Sequence, residues 1–492
     1  MEHRFKEPNR EQMVLRPTDL DKLVARDHPV RAVWEFVNKL ELSQIEDKYA
    51  AFEGIAGRTP FSPRLILALW LYGYMDKAFS CRELEERCRD DAPYIWLCGG
   101  IEPNYHTLSD FRSVNAEEFD EVLTKSLALL GRAGLIELNE IFHDGSKVKA
   151  NAGVSSGHKG ETIEKLLEKA REVVERLNGM SDEEKVNLGR RKVAARERAA
   201  RERVERIEKA LEELPGRVER RRERGLDTEA TRVSITDPES NKMKHGDGGY
   251  HQSYNAQCAI DGANGLVVGV GITNEVSDAH QLMPMVEQVK KRIGREAHNW
   301  VNDSGYNNGV NLKEMEQRDT EWWCPSMKQV GKERGKGGDG RESFDKSEFN
   351  YNEKGDYYEC PGGKRLLRSG ELTKRGRRVI LYKSQECDDC EHRAKCTPKS
   401  KKGRCLQRGY DEALNAKMDE RMLSEAGKGM MKKRRCTSEW GFAQIKSVMG
   451  WKGFMLRGIK KALGEFRIVA LAHNIKIWAS QRWRMEEATV VT

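Results

Sequence analysis

No uninterrupted apolar run in this sequence reaches the roughly 20 residues that a membrane-crossing helix needs. The longest candidate, 466–478, is interrupted by Arg467, His473, Asn474 and Lys476. No membrane span is expected. A secretory leader is not expected either: Met1-Glu2-His3-Arg4 leads into charge, not into an apolar segment. The cysteines do not read as a disulfide framework. They number 11, an odd count, and several fall in helical patterns. Reduced thiols and metal ligands in a cytoplasmic protein are the expectation. Charge of one sign is only slightly in excess, with 87 Lys+Arg against 79 Asp+Glu and a formal net charge of +8.

What is present is length and charge. The 492 residues suffice for about three domains. Apolar residues make up 38% and charged residues 34%, so cores exist under a heavily charged surface. The basic residues are unevenly spread. Lys399 to Arg435 is rich in Lys and Arg, as is the start of the Lys328–Lys346 stretch. Such clusters suit a polyanion, nucleic acid above all, although a solvated basic surface explains any one of them equally well.

Along the chain, Val30, Val33, Phe36, Val37 and Leu40 suggest an early helix. Ser62-Pro63 opens a second whose Leu65–Tyr74 stretch is nearly all apolar, hence buried. Ser80-Cys81-Arg82-Glu83 reads as a capping box, and Thr107-Leu108-Ser109-Asp110 as a further helix start. These helices suit a helix-turn-helix-like DNA-binding unit or a generic bundle. The period then changes. Ile136–Phe142 alternates as a strand does and is expected to end at His143-Asp144-Gly145. Residues 157–226 carry dense Lys, Arg and Glu with aliphatics at helical spacing, an inserted helical hairpin broken at Asn178-Gly179 and at Pro215-Gly216. Strands return at Tyr250–Ile260 and Leu266–Ile272 around a glycine-rich turn. Ser277 or Asp278 then caps a helix through Val289, and His298–Asn302 leads as a strand to Asp303. A second insertion spans 327–405, with a Gly/Lys-rich start from Gly331 to Gly340 and a strand at Val379–Tyr382. Helix dominates beyond Tyr410.

Three acids stand out: Asp144 and Asp303 at strand ends and Glu439 on a late helix. Carboxylates are the hard oxygen ligands that Mg²⁺ and Mn²⁺ prefer. Arg435 lies four residues before Glu439 and Lys446 seven after it, all near one side of a helix. A turn or a solvated face accounts for each of these residues alone. Their convergence would make a divalent-metal site for phosphoryl transfer, with Arg435 and Lys446 beside the transferred charge or on DNA phosphates. Asp237 stands in Thr-Asp-Pro, a turn former, and is left out of the set.

The order strand, Asp144, hairpin, strand, Asp303, insertion, helix, Glu439 resembles the DDE transposases of bacterial insertion sequences. The spacing Arg435-x3-Glu439-x6-Lys446 is similar to the insertion-sequence-4/5 superfamily signature Tyr-x2-Arg-x3-Glu-x6-Lys, with Lys432 where that signature has its DNA-contacting tyrosine. The segment Gly57–Arg112, with Thr236-Asp237-Pro238-Glu239 and Tyr254-Asn255-Ala256-Gln257, resembles the insertion-sequence-1182 group. The resemblance implies an α/β fold: an RNase H-like mixed-sheet catalytic core with an N-terminal helical domain and two insertions. The expected division is 1–130, N-terminal helical and DNA-binding; 131–156 and 227–326, first part of the core; 157–226, charged helical hairpin; 327–409, strand-rich insertion; 410–492, C-terminal helical part carrying the catalytic Glu. It also implies two Mg²⁺ (or Mn²⁺) ions on Asp144, Asp303 and Glu439. The activity implied is cutting at the ends of a mobile element and joining them to target DNA. A homodimer on terminal inverted repeats and a nucleoid-associated place in a bacterial cytoplasm follow from the same likeness. A catalytically silent DNA-binding derivative and a divalent-metal nuclease that cuts without joining remain as alternatives.

Cys360, Cys387, Cys390 and Cys396 can supply four thiolates to a structural zinc ribbon, with Cys405 or His392 as substitutes. Only Cys387-x2-Cys390 has the diagnostic spacing, so four metal-free thiols are an equal expectation.

Overall fold

The computed structural model describes residues 19–49, 59–327, 344–374, 377–397 and 403–490. The Gly331–Gly340 stretch, and the part of the first basic cluster between 328 and 343, lie outside the described residues, as do 399–402 of the second.

The site is built on one mixed sheet. Its centre is the strand pair β1 (Glu140–Lys149) and β5 (Tyr250–Asp261), antiparallel with Asp144 opposite Cys258. On the far side of β5 lie β4 (Asn241–Lys244) and β6 (Val267–Thr273), both antiparallel to it. On the other side of β1, β7 (Asn299–Val301) and β8 (Glu321–Trp323) run parallel to it. The parallel pairing ends early: Phe142 faces Val301, and beyond this β1 continues while β7 stops. That mismatch leaves β1 around Asp144 without a strand partner on the β7 side, until Lys149 bridges to Gly453. Asn302 bridges the first gap by donating Nδ2 to the His143 carbonyl, 3.1 Å. The strand thus runs through Asp144 instead of ending before it, because β5 supplies a continuous partner as far as Lys149.

Helices cover the sheet. The helix Glu425–Ala443 packs over β1, β5, β7 and β8. It comes close at Gly441, where an added Cβ would overlap Ile260 Cδ1 on β5. Gly441→Ala is expected to cost about 1–3 kcal/mol through overpacking, read as a fall of several degrees in melting temperature; an unchanged melt would show that the helix can shift freely. The long helix Ile459–Val490 packs on β6 and on the N-terminal helices Pro29–Lys39, Pro63–Met75, Tyr105–Val114 and Phe119–Arg132. One continuous apolar cluster joins all of these to the sheet. The apolar run Leu65–Tyr74 is buried throughout, as its composition requires. Ser80 accepts from the Glu83 amide at the start of Cys81–Asp90. After the short helix Ala92–Cys98, a further helix starts at Tyr105 and is capped by Asn104, not by Thr107, since Asn104 Oδ1 accepts from the Thr107 amide.

The charged insertion is a helical hairpin, Gly160–Asn178 against Arg190–Glu223, joined through the short helix Asp182–Leu188 and closed at its base by the antiparallel pair β2 (Gly157–His158) and β3 (Val233–Ser234). Ile163, Leu167 and Ala170 meet Ile207 and Ala210 in a small separate core. Pro215 does not break the second long helix. It removes one hydrogen bond, but the residues after it are anchored by Arg217, which donates to the carbonyls of Pro238 and Ser240. The second insertion is an antiparallel meander of β9 (Asn350–Asn352), β10 (Tyr357–Glu359), β11 (Arg365–Lys374), β12 (Arg377–Lys383) and β13 (Cys405–Gly409). Its core is Phe349, Tyr358, Leu366, Ile380, Tyr382 and Leu406. Among the described residues, no helix is long and apolar enough to cross a membrane.

Candidate active site at the open end of β1

Asp144 and Asp303 meet where β1 outruns β7. Asp144 is mid-strand, its Oδ1 accepting the Gly145 amide at 2.9 Å, and its side chain is 20% exposed. Asp303 follows β7 by two residues, and its Oδ1 accepts the Gly305 amide at 2.8 Å. Between them stands a guanidinium: Arg434 Nη2 is 3.2 Å from Asp144 Oδ1 and 4.0 Å from Asp303 Oδ2. Two acids from segments about 160 residues apart in the sequence therefore share one cation. Burial pushes the Asp144 carboxyl up to about 6, Asp303 and Asp278 adding to the rise and Arg434 opposing it.

Arg434 and the candidate Glu439 ride on the same helix, Glu425–Ala443. The Glu439 side chain lies outside the described atoms. Arg435, the arginine of the sequence signature, is exposed, and Arg434 is the one turned toward the acids. The signature Lys446 falls in a π-helical turn, Gln444–Val448, that ends this helix. Its Nζ donates to Ser146 Oγ at 2.5 Å and to the Lys147 carbonyl at 3.2 Å, tying the turn to β1 two residues beyond Asp144. Burial holds the Lys446 ammonium below its ordinary pKa, with Asp144 pulling the other way. Lys147 donates to the Val276 carbonyl at 2.7 Å and is likewise lowered by burial, against the pull of Asp278, Asp303 and Asp144.

Behind Asp144, the buried face carries a directed polar network. Asp278 Oδ1 accepts from Asn255 Nδ2 at 2.6 Å and from Gln257 Nε2 at 2.7 Å. A carboxylate oxygen only accepts, so the Gln257 amide is oriented, and its Oε1 must be the acceptor for the Tyr306 hydroxyl and for His143 Nε2. His143 therefore carries its proton on Nε2, and burial pushes its pKa down to about 4, so the ring is neutral near pH 7. The sequence offers Ser277 or Asp278 as the cap of the helix that follows. The helix Leu282–Ile293 instead has Gln281 at its N-cap, and the Asp278 side chain turns to the sheet. Asn255 and Gln257 are polar residues on a stretch of β5 that is buried throughout, whereas Asp278 lies in the loop before the helix Leu282–Ile293 and carries no such signal.

Asp237 is used elsewhere. It is buried, accepting from the Tyr254 hydroxyl at 2.7 Å and the Gly458 amide at 3.1 Å, and ties β5 to the loop before the last helix.

Among the described residues, which omit the Glu439 side chain, no three His, Cys, Asp or Glu side chains are gathered so as to hold an ion. The fit of this site to a hard divalent cation rests on its donors: two aspartates already bridged by a positive group, on a helix that also brings Glu439. Zinc finds no such support. Cys360, Cys387, Cys390 and Cys396 line one small cavity of about 30 Å³ in the second insertion, and the Lys364 amide donates to Cys360 Sγ at 3.3 Å. The four thiols are nevertheless free and do not form an ion-holding group.

The family model described as "Transposase DDE domain" matches residues 359–478, a span that includes Arg434, Glu439 and Lys446. A second model, described as "Transposase domain (DUF772)", matches residues 18–114, the N-terminal helices. No curated protein and no solved structure matches the chain.

Proposed function

We propose, for a chain that belongs to the DDE-type transposases, that it cuts DNA at the ends of an insertion sequence and joins them to target DNA by Mg-dependent phosphoryl transfer. The observation that carries this reading is the meeting of Asp144 and Asp303 around Arg434, under the helix that bears Glu439. The sheet order β6–β5–β1–β7–β8, antiparallel through β1 and parallel beyond it, supports an RNase H-like core. The expected domain division follows that core, with the hairpin and the meander as insertions.

Asp144, Asp303 and Glu439 would hold two divalent ions. Such ions activate an attacking oxygen and stabilise a leaving one. The protein's own cations do the rest. Arg434, beside both acids, would place its charge next to a phosphodiester held there. Lys446 fixes β1 beside Asp144 and lends its charge there, while the exposed Arg435 holds DNA backbone. The neutral His143 ring backs the strand without adding a competing charge. Two ends must be brought together before joining, so a homodimer on terminal inverted repeats belongs to this reading, as does a place on the nucleoid.

A labelled terminal-repeat duplex incubated with the chain, Mg²⁺ and a target plasmid tests the reading. Joined product is expected. Cut ends without joining would make the chain a nuclease, and binding without cutting a silent DNA-binding protein.

A further inference from the structure

We propose that Asp278 is a positioning acid for the cation site, setting the spacing of Asp144 and Asp303 and adding its charge to theirs; this rests on the reading above. Its carboxylate packs against the segment that carries Asp144 and stands beside the turn that carries Asp303. On one side stands Gly145, directly after Asp144. A Cβ there would overlap Asp278 Oδ1 and Gln257 Nε2, so only glycine lets the carboxylate come this close to β1. On the other side stands Gly305, two residues after Asp303. A Cβ built there lies 3.8 Å from Asp278 Oδ2 and 2.9 Å from Asp303 Oδ1.

The two oxygens have different work. Oδ1 is held by the amides of Asn255 and Gln257, which fix the carboxylate against β5. Oδ2 faces the Asp303 turn. Lys147 Nζ, 3.8 Å from Oδ1, is the nearest ion-pair partner and donates its hydrogen bond elsewhere, to Val276. A wedge meant only to hold β5 in place needs an acceptor oxygen, not a charge. The negative charge, 23% exposed at the back of the two aspartates, has a further consequence: it deepens the potential that draws a divalent cation to them.

Asp278→Asn separates these roles, since the amide oxygen can still accept from Asn255 and Gln257 while the charge is gone. Titration of the full-length chain with Mn²⁺, read by the loss of the free-ion electron paramagnetic resonance signal, should show affinity weakened about tenfold, with the melting temperature near that of the parent. An unchanged Mn²⁺ affinity would overturn the proposal. Asp144→Asn and Asp303→Asn serve as references: if they too bind Mn²⁺ like the parent, it is the cation site itself that fails. A second measurement needs no variant. Fe²⁺ in place of Mg²⁺, with ascorbate and peroxide, cleaves backbone close to the bound ion. Cuts are expected around 144, 303 and 278, and cuts at the first two without the third would also reject the role.

Discussion

Asp144→Asn is expected to slow DNA cutting by about 10³-fold or more, roughly 4 kcal/mol of lost transition-state stabilisation. Binding to a terminal-repeat duplex should stay within about threefold, because the basic surface is untouched. The same substitution should stabilise the cation-free protein. The Asp144 carboxyl is pushed up to about 6, first by burial and then by Asp303 and Asp278, while Arg434 pulls it down. An acid whose folded-state pKa is raised holds its proton longer in the folded chain than in the unfolded one. The cation-free fold is therefore most favoured below about pH 4 as far as this group is concerned, and loses that contribution as pH climbs to about 6. At neutral pH the ionised side chain costs about 1–3 kcal/mol, which asparagine removes. Melting curves without Mg²⁺ should thus run higher for Asp144→Asn than for the parent, and added Mg²⁺ should raise only the parent. A variant that cuts as the parent does would remove Asp144 from the site. One that loses cutting but melts lower would refute the electrostatic cost.

The second large effect lies away from the chemistry. Arg112→Ala should destabilise the protein by about 3–5 kcal/mol. Arg112 is buried in the helix Tyr105–Val114, stacked over Trp70 at 4.0 Å and donating to the Tyr74 hydroxyl at 2.8 Å. Its guanidinium stands 4.0 Å from the fully buried carboxylate of Glu465 on the last long helix. Glu465 also accepts from the amides of Met455 and Leu456 and from Trp451 Nε1. Removing Arg112 leaves that carboxylate buried with no cation, and it loosens the N-terminal helices from the helix that backs β6. Adding Glu465→Gln to Arg112→Ala should recover part of the loss, since no charge is then stranded. If the double variant melts no higher than the single one, the damage comes from packing on Trp70 and not from charge.

These two sites differ in how much of them the sequence discloses. Asp144 and Asp303 are legible because strand alternation ends near each of them, and a carboxylate at a strand end is a recognisable position. The length of β1 is not legible. It depends on β5, more than 100 residues away, whose register carries β1 past Asp144. The choice of Arg434 over Arg435 is lost for a related reason. A signature fixes spacing along the chain, whereas the rotation of the helix about its axis is set by what it packs on, here Ile260 beneath Gly441. Local chemistry permits Ser277 or Asp278 as a helix cap, and says nothing of the sheet that the Asp278 side chain reaches. Only the missing side chain at Gly145 opens the space that the carboxylate takes. The thiols of the second insertion are the converse case: the sequence admits a metal or four free thiols equally, and the fold brings the four to one cavity without arranging them as ligands.

The sequence by itself determined the elements and their order: the buried N-terminal helices, the charged hairpin, the strands with their acids, and the late helix with Glu439. Periodicity, capping residues and turn chemistry act over a few residues, so they survive in a linear string. Only the tertiary structure decided which acids meet, which arginine stands between them and which glycine admits a third carboxylate. Those outcomes turn on register, helix rotation and excluded volume between segments far apart in the chain, and none of the three is written in the neighbourhood of the residues concerned.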